Sequence, residues 1–176
     1  MTNSVILADL LTLTGAAVAP VDAILETATT RVRATVSENG KVSGKLIEEN
    51  QTAAHGLAWL ATYAQSLRQM QAWAERLEAE GKFGEMEQLL HQIAFGEYLW
   101  QIYGGIPMSQ NEIVRLQDLG LSQDDMRGLM APEIRTLCDR GNSQAARMRL
   151  VALMRDNAGH ATFGATGLDD ELEMIR

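Results

Sequence analysis

At 176 residues the chain is long enough to bury most of its unfolded surface in one domain, which excludes any need for a metal or disulfide staple. Its 46% hydrophobic and 22% charged residues exclude a disordered polypeptide. A net charge of −8, with no run of Lys and Arg, excludes a surface that tracks nucleic-acid phosphates. Cys138 is the single cysteine, so no intrachain disulfide forms, which fits a reducing, cytoplasmic setting.

The opening stretch MTNSVILADLLTLTGAAVAPV carries no basic residue, and the first is Arg31. A secretory leader needs an early positive charge, so this reads as mature sequence. Asn3 or Ser4 caps a short helix through Leu13, and Gly15 is expected to end it. Pro20 fits the first turn of the next helix, in which Ile24, Ala28, Val32 and Val36 recur every four residues. That helix is expected to stop near Asn39-Gly40. The following loop, Gly40-x3-Gly44-Lys45-Leu46, superficially suggests a phosphate cradle. The glycine spacing is wrong and no Ser or Thr follows the lysine, so it reads as a flexible turn.

The organising stretch runs from Lys45 to Glu80 without proline. Leu46, Ala53, Leu57, Leu60, Ala64, Leu67, Met70, Ala74 and Leu77 recur at steps of three, four or seven, which predicts one long helix. A second series, His55, Trp59, Tyr63, Ser66, Met70 and Trp73, lies on another side, with Trp59 roughly 200° round the helix from Leu57. Two apolar sides predict partners on both. Within this helix Gln51 to Leu67 is uncharged but carries Gln51, Thr52, His55, Thr62 and Gln65, which argues against a membrane span.

Gly81 offers a left-handed cap, and Phe83 opens an antiparallel return to about Tyr103. Phe83, Met86, Leu90, Ile93, Trp100 and Tyr103 form its stripe, broadened by Phe95, Leu99 and Ile102. Gly104-Gly105-Ile106-Pro107 breaks the pattern. Beyond it, Ser109-x-x-Glu112 and Ser122-x-x-Asp125 resemble capping boxes that each open a brief helix, and Pro132 restarts another. Asn142 or Ser143 caps a last amphipathic helix, with Ala146, Leu150, Leu153 and Met154 expected inward and Arg147, Arg149 and Arg155 in water. Residues 157–167 read as linker. Thr166-x-x-Asp169 then starts a helix with Leu168, Leu172 and Ile175 on one face, and its shortness is expected of a chain that continues. The fold expected is all-α: an antiparallel bundle of five to seven helices with one very long central helix, spanning residues 1–158.

No residue set carries catalytic chemistry. His55, His91 and His160 each lack a Glu three residues earlier, and no His-Glu-x-x-His, Gly-x-Ser-x-Gly or Gly-x-Gly-x-x-Gly motif occurs. Glu87 and His91, one turn apart, read as a side-chain contact rather than a metal pair. Trp59, Tyr63, Met70 and Trp73, with Tyr98, Trp100 and Tyr103 on the return, form an aromatic rail read as core or interface packing. The other reading of that rail is an apolar pocket.

The run AAHGLAWLATYAQSLRQMQAWAERLEAEGKFGEMEQLLHQIAFGEYLWQIYGGIPMSQNEI, residues 53–113, resembles the helical extension that precedes the flavin domain in acyl-CoA dehydrogenases of the methylsuccinyl-CoA type. DNAGHATFGATGLDDELEMIR, residues 156–176, resembles the junction to the first helix of the dehydrogenase proper. The resemblance implies that residues 159–176 are linker and the start of that domain. It implies a parent enzyme in which a glutamate takes the α-proton of an acyl-CoA thioester while FAD accepts hydride from the β-carbon. Its flavin-binding and catalytic positions lie beyond Arg176, so these residues bind no cofactor alone. The partners implied are the dehydrogenase body and a second subunit of a homodimer. The rival reading is a free-standing acidic helical adaptor that binds a protein through its aromatic face.

Overall fold

The three- and four-residue apolar spacing of the middle of the chain builds three long antiparallel helices. In the computed structural model, which describes residues 4–157, 172 and 174, these are α1 (Leu10–Thr35), α3 (Gln51–Ala79) and α4 (Glu85–Gly104). The shorter α2 (Gly44–Glu49), α5 (Pro132–Thr136) and α6 (Gln144–Asp156) complete an all-α bundle of six α-helices among the described residues. The 29 residues of α3 reach about 43 Å at 1.5 Å per residue. Its Leu60, Ala64, Leu67, Ala74 and Leu77 meet Ala17, Val21, Ile24, Ala28 and Val32 of α1 and Phe95, Leu99 and Ile102 of α4 in one core. The α3 end is the cap that Gly81 suggested. Gly81 takes φ +67, its N–H bonds Glu78 O, and Lys82 N–H bonds Leu77 O at 2.8 Å, closing both links of a Schellman motif.

Several local expectations are corrected. Gly15 does not end a helix, and Pro20 does not begin one, because α1 runs through both. An interior proline costs about 3 kcal/mol, but the buried face from Leu10 to Val32 is continuous across it. Pro20 itself packs on Gly128, where an added Cβ would lie 3.3 Å from the proline Cβ. The predicted helix from Lys45 is two helices, since Asn50 leaves helical geometry (φ −127, ψ 37). Its side-chain amide donates to Leu46 O at 2.8 Å, closing α2 as α3 starts. Asn39 and Gly40, both at positive φ, turn a small hairpin of β1 (Ser37–Glu38) and β2 (Lys41–Val42). Asn-Gly is the pair that such a two-residue turn requires. Ser43 then caps α2, accepting from Leu46 N–H.

Ser109 and Glu112 open no helix. They sit in the loop of a second hairpin, β3 (Ile106–Pro107) and β4 (Ile113–Val114), closed by Met108 N–H on Glu112 O at 2.8 Å. Ser122 and Asp125 do form the reciprocal box, Ser122 N–H to Asp125 at 2.8 Å and Asp125 N–H to Ser122 Oγ at 3.2 Å. It opens a turn leading to the 3₁₀ segment Arg127–Met130. Helix α5 begins at Pro132 and passes into a wider π-type turn, Leu137–Gly141. Ser143 caps α6 by accepting Ala146 N–H at 3.1 Å. The helix expected after Thr166, with Leu168 and Ile175, and the linker before it lie outside the described residues.

By length and composition, α1 is the helix among the described residues that is apolar enough to cross a membrane. One of its sides is spent on α3 and the core, and another carries Asp22, Glu26, Arg31 and Arg33.

Candidate functional site

The aromatic residues expected to form one rail are sorted into three settings. Trp73, half-buried on α3, meets Phe83 edge-on at 6.4 Å and lies 6.5 Å from His91, which stacks obliquely on Phe95 at 4.6 Å. His91 is 1% exposed. Thr14 Oγ1 donates to Leu10 O at 3.0 Å, so toward His91 Nε2, also 3.0 Å away, it acts as acceptor. Nε2 therefore carries the proton, and Nδ1 is a buried acceptor with no partner. Burial pushes the imidazole down to about 4, so it is neutral at pH 7. The next residue, Gln92, is a hub: its amide donates to Val5 O and Gly141 O, and its oxygen accepts Leu7 N–H at 2.7 Å.

The second setting is the α3–α4 seam. Tyr63 meets Tyr98 edge-to-face at 4.6 Å and Trp59 at 6.5 Å, and Trp59 Nε1 donates to His55 Nε2 at 3.0 Å. The Tyr63 hydroxyl donates to Gln101 Oε1. Gln101 donates to Glu97 at 2.6 Å, and Asn142 donates to the other Glu97 oxygen at 2.6 Å. This line of polar groups ties α3 and α4 to the start of α6. Burial, then Tyr98 and Glu97, raise the Tyr63 hydroxyl above its ordinary value, so it serves as a neutral donor. Met70 is half-buried against the core.

Trp100 and Tyr103 form the third setting, paired at 5.9 Å on the outer side of α4 and 45% and 48% exposed. The rail thus contains core, seam and surface. A recess of about 630 Å³ beside the first hairpin is lined by Thr29, Thr30, Arg33, Ala34, Ser37, Gly40 and Val42, none of them on the rail.

Helix α6 departs most from expectation. Its Ala146 is buried, Leu150 and Leu153 are half-buried, and Met154 faces water instead of the core. Met148, Val151 and Met154 are 64%, 50% and 46% exposed. The reason is geometric: Glu85 on α4 binds Arg149 through two bonds of 2.6 and 2.5 Å. Arg149 is thereby drawn toward the bundle, which holds Met148 and Val151 on the far side. This pairing also keeps the Glu85 carboxyl below its usual range. The signal in the sequence was the spacing of Met148, Val151 and Met154, at steps of three like the core stripes.

Among the described residues no three His, Cys, Asp or Glu converge as metal ligands. Cys138 is half-buried, and burial, with Asp139 beside it, pushes its thiol up to about 11, so at neutral pH it is not a nucleophile. At Gly56, Gly96 and Gly141, where absent side chains allow close approach, the protein's own Val114 and backbone already occupy the space.

These features describe a scaffold with an open face, and comparison with known proteins supplies its context. No family model matches the chain. A curated protein of Cereibacter sphaeroides, (2S)-methylsuccinyl-CoA dehydrogenase, is 60% identical over 176 residues, all of this chain. Over its whole length this chain is similar to that enzyme. The chain spans 31% of the length of (2S)-methylsuccinyl-CoA dehydrogenase. The match covers all 176 residues, so it takes in the bundle core, the seam and α6 rather than one motif.

Proposed function

We propose that this chain is the N-terminal helical domain, residues 1–158, of a cytoplasmic, FAD-dependent acyl-CoA dehydrogenase of the methylsuccinyl-CoA type. Its role is packing on the flavin domain or on the partner subunit of a homodimer, without catalysis of its own. One observation carries this reading: 60% identity across the entire chain to an enzyme more than three times as long. The buried polar residues support it, because Thr14, His91 and Gln92 are spent on holding segments of the bundle together. In this reading the flavin, the glutamate base and the acyl-CoA thioester belong to the body that follows, beginning after residue 158.

The test is to mix the purified chain with FAD and an acyl-CoA thioester and to record the flavin spectrum and turnover. The expected result is free-flavin absorbance and no reduction. Stoichiometric flavin binding or turnover by these residues alone refutes the assignment, as does a stop codon directly after Arg176 in the source gene.

A further inference from the structure

We infer that the outer face of α6 is the surface on which the dehydrogenase body docks, and that the body meets it with an apolar contact edged by carboxylates. The inference rests on the reading above and adds the surface and the chemistry of the partner. On α6 a residue's surface neighbours lie three and four positions away. Val151 is therefore ringed by Met148 and Met154 at three, and by Arg147 and Arg155 at four. All five side chains are exposed. An apolar centre edged by two guanidinium groups is unusual on a chain of net charge −8. Methionine fills irregular gaps in a partner surface, and arginine adds both an apolar stem and a planar donor for carboxylates.

Three occupants compete for this face. Solvent alone leaves the apolar ring without a role. A second copy related by a two-fold axis brings Arg147 and Arg155 against Arg147 and Arg155 of its image, and such like-charge contact opposes association. The body of the longer protein remains: the similar enzyme holds more than two thirds of its length outside the matched region. Trp100 and Tyr103 offer a smaller exposed pair, but the neighbouring Glu97 is already engaged by Gln101 and Asn142. That leaves the pair no charged edge comparable to the α6 arginines.

The experiment is hydroxyl-radical oxidation read by mass spectrometry. It compares the 176-residue chain with the intact protein in which it continues into the dehydrogenase body. Met148 and Met154 are expected to oxidise several-fold more slowly in the intact protein, while Met130, 50% exposed on a different element, is unchanged. In the intact protein, Arg147→Glu with Arg155→Glu is expected to return both methionines toward the rate of the isolated chain. Both arginines are exposed, so the fold tolerates the change. If protection appears at Trp100 and Tyr103 but not on α6, this inference fails and the packing reading stands. No protection anywhere defeats both. Unchanged protection in the double variant overturns the carboxylate edge. Concentration-dependent protection in the isolated chain assigns the face to self-association and overturns the inference.

Discussion

Gly96 is where α4 passes the π-type turn, and a single methyl group there tests whether that crossing is as tight as the structure makes it. An alanine Cβ would lie 2.8 Å from Asn142 N, 2.9 Å from Leu137 O and 3.2 Å from the Gly141 carbonyl carbon. All three are backbone atoms, so no rotamer change relieves them. Ordinary contact requires the whole turn to move by about half an ångström, and overpacking of this kind costs about 3 kcal/mol. Alanine recovers about 1 kcal/mol of helix propensity, leaving Gly96→Ala destabilised by about 2 kcal/mol. Gly104→Ala is the internal control, because it lies on the same helix and meets nothing within 4 Å. It is expected to be neutral or slightly stabilising. Urea unfolding followed by far-UV circular dichroism gives both values. If Gly96→Ala unfolds at or above the wild-type midpoint while Gly104→Ala behaves as expected, the close crossing is wrong.

Three further changes probe other features. His91 is neutral in the fold with its titration lowered from 6.5 to about 4, so the unfolded chain binds a proton first. Stability is then fully present above pH 6.5 and falls on acidification toward pH 4, by about 2 kcal/mol between pH 7.5 and 5. His91→Leu should flatten that part of a stability-against-pH curve, and an unchanged slope assigns the loss to other groups. Gly81→Ala has free space but sits at φ +67, so it should cost about 1 kcal/mol through backbone strain alone, seen as a lower unfolding midpoint. Ser143→Ala removes the α6 cap and should cost about 1 kcal/mol, with faster amide exchange at the start of α6 while exchange in α3 is unchanged.

The long helices were legible because their apolar spacing, the left-handed glycine at 81 and the caps at Ser122 and Ser143 are all local signals that the tertiary structure leaves in place. Where local and tertiary terms conflict, the sequence misleads. Gly15 and Pro20 look like punctuation, yet the continuous buried face of α1 outweighs them. A single Asn50 separates Leu46, half-buried in a helix with no fully buried residue, from the buried stripe of α3, although the three- and four-residue spacing runs through both. Asn39-Gly40 was a hairpin signal read as a plain turn, and Ser109-x-x-Glu112 has the letters of a cap without a helix to open. The aromatic rail was legible as composition only. Side-chain spacing on two helices does not show that Trp73 turns to His91, Tyr63 to Gln101, and Trp100 to water.

The two-sided apolar pattern has a sharper physical meaning once the contacts are known. Helix α4 is apolar on more than one side because one side meets α1 and α3, while another is crossed by the π-type turn and α6. A two-sided helix was expected to require a partner, and for α4 much of that partner is supplied by the chain itself. Covering α4 moves the unmatched surface outward rather than removing it: α6 directs Ala146, Leu150 and Leu153 to the bundle and is left with Met148, Val151 and Met154 on its other side. If α6 served only as a lid, polar substitutions at Val151 would improve solubility and change nothing else. If it is a contact layer, Val151→Glu should leave the unfolding midpoint of the chain unchanged yet loosen its hold on the body that follows.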